Sequence, residues 1–187
     1  MEISYGMIAI IAVAVLALWF LLRTYNGLVR MRNNVRTAWS DIDVQLTRRH
    51  DLVPNLVESV KGYMTHERET LEAVTRARSE AIASGGNIVD RAGAEMALTG
   101  AVGNLFAAAE RYPDLKASKS FLLLQEQITS TENRVAFARQ HYNDKVRQLN
   151  TAIAEFPQNL IAGTLGFKPA EMFAAGADDR AAVGVKV

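Results

Sequence analysis

The stretch that decides the architecture is Ile3 to Leu22, ISYGMIAIIAVAVLALWFLL. It carries no formal charge over twenty residues. As a helix rising about 1.5 Å per residue it is roughly 30 Å long, enough to cross the hydrocarbon core of a bilayer. A soluble core helix rarely runs so far without a charge. A cleaved signal peptide is the other alternative, but the residues before the run are only Met1 and Glu2, with no Lys or Arg. No small-x-small site precedes a change of character either, because Trp19-Phe20-Leu21-Leu22 leads straight into Arg23. The expectation is an uncleaved anchor over residues 1–22. Arg23, Arg30, Arg32 and Arg36 follow it closely, against Glu2 and the chain amine on the other flank. The positive-inside rule then places the N-terminus outside and the main domain in the cytoplasm. Trp19 and Tyr25 on one side and Tyr5 on the other suit the two interfaces.

Beyond the anchor the chain reads as all-α. Of 187 residues only four are Pro and 7% are aromatic, while Ala is abundant. Leu28, Met31, Val35, Ala38 or Trp39, Ile42, Leu46 and Arg49 recur at 3-4 spacing and continue the anchor as one long helix. Pro54 is expected to open a second helix, with Leu56, Val60, Tyr63, Leu71, Val74 and Ala81 on its inner face. Ser84-Gly85-Gly86-Asn87 makes a turn, and Asn87 with Asp90 is placed to cap an Ala-rich third helix carrying Met96, Val102, Leu105 and Phe106. Tyr112-Pro113 stops it. A fourth helix, capped by Ser118 or Ser120, carries Phe121, Leu124, Ile128, Val135, Ala138, Tyr142, Leu149, Ile153 and Phe156 in heptad spacing up to Pro157. The apolar residues from Leu160 to Phe173 are expected to fold over an end of this elongated antiparallel bundle of about four long helices. The bundle then occupies residues 23–173, and 174–187 form a poorly ordered tail.

Chemical motifs are sparse. The net charge of +1 gives no bias toward nucleic acid, and the absence of Cys removes thiolate chemistry. His66-Glu67 begins a zinc-protease pattern that fails at Thr70. Di-iron bundles need Glu three residues before His, and here His50, His66 and His141 are preceded by Thr47, Tyr63 and Ala138. Asp41, Asp51, Glu67 and Glu110 leave a carboxylate site open in principle. No Walker loop, dinucleotide turn or nucleophile elbow occurs. The residues assign no catalytic group, no cofactor and no metal. The stretch from Arg23 to Arg49 bears basic groups worth about 1 kcal/mol each beside an anionic leaflet, if they lie close to it. Arg48 and Arg49 stand about 40 Å along the helix from Leu22. For them, pairing with Asp51 or with carboxylates of a neighbouring helix is the better account.

The segments Tyr25-Asn26-Gly27-Leu28, AWSDIDVQL (38–46) and RRHDLVPNLV (48–57), then Lys61-Gly62-Tyr63, ERYPDLKA (110–117), Tyr142-Asn143, Phe156-Pro157 and Gly166-Phe167, resemble the LemA family of bacterial membrane proteins over nearly the whole chain. The resemblance implies a short outer N-terminal segment, one span of the bacterial inner (cytoplasmic) membrane and a cytoplasmic helical bundle; it supplies no reaction. It also draws attention to polar residues on or beside the apolar stripes: Asn26, Arg30, Trp39, Asp41, Gln45, Arg49, Asp51, Asn55, Glu110 and Tyr142. Buried, these must be paired, either internally to lock helix register or externally against a partner. The reading is a membrane-anchored scaffold or partner-binding protein. Its expected partners are the bilayer, further copies of itself in a homo-oligomer, or another membrane protein. A hydrolase centred on His66 and Glu67 and a membrane-shaping coat are the alternatives.

Overall fold

The computed structural model describes residues 5–85 and 88–173. Ile3, where the expected span begins, the Gly86-Asn87 turn and cap, and the tail 174–187 lie outside the described residues. The described residues are all-α, in six helices: α1 (Tyr5–Lys61), α2 (Arg68–Ala83), α3 (Ile88–Ala109), α4 (Pro113–Lys116), α5 (Lys119–Ala154) and α6 (Asn159–Ala162).

α1 is one unbroken helix of 57 residues, about 85 Å long at 1.5 Å per residue. Its first part is long and apolar enough to cross a membrane and carries no other part of the chain over most of its length. The rest is the spine on which everything else packs. Going up α1 from Trp39 to Arg49 corresponds to going down α5 from Tyr142 to Glu132, so the two helices are antiparallel. α3 ascends beside α1, with Arg91 at Asp43 and Glu95 at Arg49. α2 descends, meeting the spine where Arg78 reaches His50. The result is an up-down-up-down bundle.

The core divides into two tiers. In the upper tier Val53, Leu56, Val60, Val74, Leu98, Leu105, Leu115 and Ile128 from all the long helices are buried together. The lower tier is chiefly the α1–α5 pair, through Leu28, Ile42, Leu46, Val146 and Leu149, with Ala92 and Ile88 from the start of α3 beside it. Each such Leu or Val contributes about 1.5–3 kcal/mol on full burial. The lower tier is completed by the chain after α6. That segment does not cover an end of the bundle. It runs back along the α1–α5 seam, burying Phe167 and Phe173. Phe167 packs edge-on to Tyr25 at 5.9 Å and under Arg32.

Pro54 corrects the expected boundary: it does not begin a helix but sits inside α1, and α2 starts only at Arg68. A mid-helix proline lacks the N–H that would bond the carbonyl four residues back, here His50. The Arg78 side chain of α2 donates from Nε to that carbonyl at 2.7 Å. A bond from another helix thus replaces the missing one, and no local reading could supply it. Leu56 and Val60 consequently belong to α1, and Tyr63 lies exposed in the turn after it. Met96 and Phe156 are likewise exposed rather than in the core, and Ser118 occupies the N-cap position of α5 without a side-chain cap bond.

Candidate functional site

Where the two tiers meet, the apolar stripe of α1 is interrupted by Arg49 and His50, both buried. Arg49 falls on the stripe because it follows Leu46 by three and Ile42 by seven. Its guanidinium is 1% exposed and ion-pairs with Glu95 of α3, itself 3% exposed. It also donates to Glu132 Oε1 of α5 at 2.7 Å, to Thr99 Oγ1 at 2.8 Å and to the Glu95 carbonyl at 3.3 Å. His50 Nε2 lies 3.0 Å from the second Glu95 oxygen. Burial is the largest single influence on Glu95 and pushes its carboxyl up. The His50 hydrogen bond, the Arg49 charge and their smaller companions together outweigh it, so the group titrates below its ordinary value. One α1 side chain therefore ties α1, α3 and α5 together, and Arg78 adds α2.

About 15 Å lower on the spine, Trp39 is enclosed from three sides. Tyr142 meets it edge-on at 5.4 Å, Phe173 at 5.9 Å, and Arg91, ion-paired with Asp43, lies over the ring at 5.5 Å. Tyr142 is buried and donates its hydroxyl to the Glu171 carbonyl at 2.9 Å. Burial, with a smaller push from the Glu171 charge, raises its phenol above the ordinary value. Two asparagines one heptad apart on α5 grip the returning segment by paired amide bonds. Asn150 bonds both the N–H and the carbonyl of Ala170, at 2.8 and 2.9 Å. Asn143 does the same for Phe173, at 2.8 and 3.1 Å.

Of the polar residues singled out from the sequence, Arg49, Trp39 and Tyr142 thus enter packed networks. Gln45 is half-buried, and its Oε1 has no hydrogen-bond partner among the described residues. Asn26, Arg30, Asp41, Asp51, Asn55 and Glu110 are exposed, with Glu110 held by Lys116. His66 is exposed, and Glu67 is engaged by Arg111 at 2.7 Å and the Tyr112 hydroxyl at 3.3 Å. Among the described residues no three His, Asp or Glu side chains are grouped to hold a metal ion. Glu95, Thr99, Glu132 and Asn150 are not among the residues the sequence singles out, and Asn143 enters there only as part of a resembling segment. The signal for Glu95 was a lone carboxylate in step with Ala92, Leu98 and Val102 on an otherwise apolar face.

Two outward features stand out on the surface of the bundle. A cleft of about 620 Å³ between α1 and α2 has Val57, Met64 and Leu71 in its floor and Arg68, Glu72 and Arg76 around it. The outer face of α5 presents a shallow ridge from Leu122 through Thr129 and Asn133 to Phe137, the last 78% exposed. They overlap in height on the spine: the cleft rises from Ser79, next to the Arg78 contact with His50, and the ridge runs from above to below Glu132, which meets Arg49.

A family model described as LemA family matches residues 38–187. Magnetosome protein MamQ of Magnetospirillum gryphiswaldense is 26% identical across 82% of this chain and 65% of its own length. Magnetosome protein MamQ 2 of Paramagnetospirillum magneticum gives the same figures. Protein LemA of Metamycoplasma hominis is 28% identical across 83% of this chain and 71% of its own. The chain thus spans a little under two thirds of the MamQ proteins it matches, and none of these names states a reaction.

Proposed function

We propose that this chain, which belongs to the LemA family, is a membrane-tethered post that holds a protein-binding surface at a fixed height above the bilayer. The observation that carries the reading is α1 itself: one unbroken helix leads from an exposed apolar segment into the spine of the bundle. The cluster at Arg49 then stands about 40 Å from Leu22. A stiff connection of that kind serves position rather than turnover. Glu67, the best carboxylate for a hydrolytic reading, is committed to Arg111 and Tyr112.

The surface is the α5 ridge with the α1–α2 cleft, and the first partner is a second copy of the chain. Copies standing in one membrane present ridge and cleft at overlapping heights, which favours side-by-side association; another membrane protein is the alternative occupant. The Arg-rich start of the spine favours a cytoplasmic bundle on the inner membrane, with the N-terminus outside. Photo-cross-linking residues placed at Phe137 and Thr75 in cells test the reading. Discrete adducts at twice the chain mass are expected, with none from Asn104 on the outside of α3. No discrete adduct from either position would refute it. Protease access from each face of the membrane tests the orientation: digestion of the bundle from outside intact cells would reverse it.

A further inference from the structure

The lower end of the bundle does not stop clear of the membrane. α5 runs down the spine past Leu28, and its last residues reach the anchor. Ala152 and Gln158 border a hollow of about 300 Å³ together with Trp19, Phe20, Arg23 and Thr24. Phe20 lies inside the apolar stretch and is partly covered, whereas every other residue from Tyr5 to Leu22 is exposed. The corner joining α5 to α6 therefore stands beside the last turns of the span, across that hollow. Arg23 stacks over Trp19 at 5.4 Å, the arrangement of a group at headgroup level. At this same corner two large apolar side chains point away from the protein: Phe156 is 77% exposed and Leu160 69%. In water these two side chains would keep their apolar area hydrated. At the height of Phe20 and Arg23 they face the acyl–headgroup boundary.

We infer that the α5–α6 corner is a second membrane contact, inserting Phe156 and Leu160 into the interface of the bilayer that α1 spans. The inference rests on the tether reading above and adds to it. A single helix leaves a bundle free to tilt and to spin about the anchor. A second apolar foot on one side fixes which face of the bundle looks along the membrane. The occupant follows from continuity: the exposed apolar surface of the span passes through Phe20 directly to the corner, so one lipid phase covers both.

The chain has no Cys, so single labelling sites can be placed in it. Nitroxides at Val13→Cys, Phe156→Cys, Leu160→Cys and Val44→Cys, in proteoliposomes containing anionic lipid, are compared for collision with oxygen, enriched in lipid, and with a water-soluble nickel chelate. Residue 13 should read deep in lipid and 44 in water. Residues 156 and 160 should favour oxygen by several-fold over 44, at a depth near the headgroups. Labels at 156 and 160 that behave like 44, or that are shielded from both reagents by protein, overturn the second contact while lipid exposure at 13 leaves the tether intact. A label at 13 that reads aqueous overturns both. Val44 is 63% exposed and lies outside the ridge and the cleft, about 33 Å along α1 from Leu22, so the control is an exposed apolar position away from both the bilayer and the contact between copies.

Discussion

Replacing Glu95 by Leu should destabilise the bundle far more than removing a surface carboxylate, and the loss should be largely reversed by also replacing Arg49. Breaking one side of a buried ion pair typically costs about 3–5 kcal/mol, because the other charge is left without compensation. Here Arg49 keeps Glu132, whose side chain is 27% exposed and can share its charge with water. That places the Glu95→Leu cost near the lower end, about 3 kcal/mol. For a chain of this size it amounts to roughly 6–12 °C in melting temperature. Arg49→Met strands Glu95 beside His50 and should cost a similar amount. The double variant removes both buried charges and fills the space with apolar groups, an exchange that is often neutral or favourable. Its loss should be well under the sum of the two single losses, with a coupling energy of about 2 kcal/mol or more for groups in direct contact. Thermal unfolding followed by far-ultraviolet circular dichroism in detergent or nanodiscs measures all three. Single losses below about 1 kcal/mol, or losses that simply add, would refute the idea that this pair is a buried, mutually dependent unit.

The same carboxyl makes stability depend on pH. Glu95 titrates lower in the fold than in the unfolded chain, so its contribution is complete above the ordinary carboxylate value and disappears as pH falls from there through the folded value. The acid loss of melting temperature should be shallower in Glu95→Leu than in the parent; equal slopes would count against the assignment. Arg78→Ala should cost about 1–3 kcal/mol by leaving the His50 carbonyl without its donor. Adding Pro54→Ala, which restores a backbone N–H to that carbonyl, should recover part of the loss in the same melting experiment, and no recovery would show that the bond does not substitute for the missing one. Asn143→Ala with Asn150→Ala should free residues 167–173, read as faster hydrogen exchange there with the upper tier unchanged. Unaltered exchange would mean the aromatic packing of Phe167 and Phe173 alone holds the segment.

The parts of the fold that were legible in the sequence are those set by local periodicity. The charge-free run, the stripe from Leu28 to Arg49 and the heptads of α5 all depend on which residues share a helix face, and that is fixed by spacing. The misplaced boundary at Pro54 shows where such reading ends. A proline is a helix breaker only if its orphaned carbonyl stays orphaned, and the partner that rescues it is 28 residues away in sequence. The site divides in the same way. Arg49 and Tyr142 stood out as polar groups on apolar stripes, and each stripe position led inward. Asp41, Asp51 and Asn55 stood out only through their segments, and their positions lead to solvent. Asn143 is marked only as part of a resembling segment and Asn150 not at all, because their partners are main-chain atoms of a segment with no regular pattern, where no side-chain signal exists to pair with them.

A stripe of Leu, Val, Ala and Ile holds α1 to α5 but specifies their offset weakly, since a slip by one heptad would still set apolar residues against apolar residues. Such a slip would shift the α5 ridge by about 10 Å along the spine. Arg49 removes that freedom. Its charge is best met where Glu95 and Glu132 both arrive, and a heptad's displacement of α5 would put Gln125 or Arg139 in place of Glu132, removing one of the two counter-charges of a buried guanidinium. Stability alone would be served as well by apolar residues at these positions. What the charges add is a single register between the helix that enters the membrane and the helix that carries the outward ridge. On the proposed reading, in which the chain presents a surface at a set distance from a bilayer, that register is the quantity that matters, and a buried ionic cluster at the junction of the two tiers sets it for both.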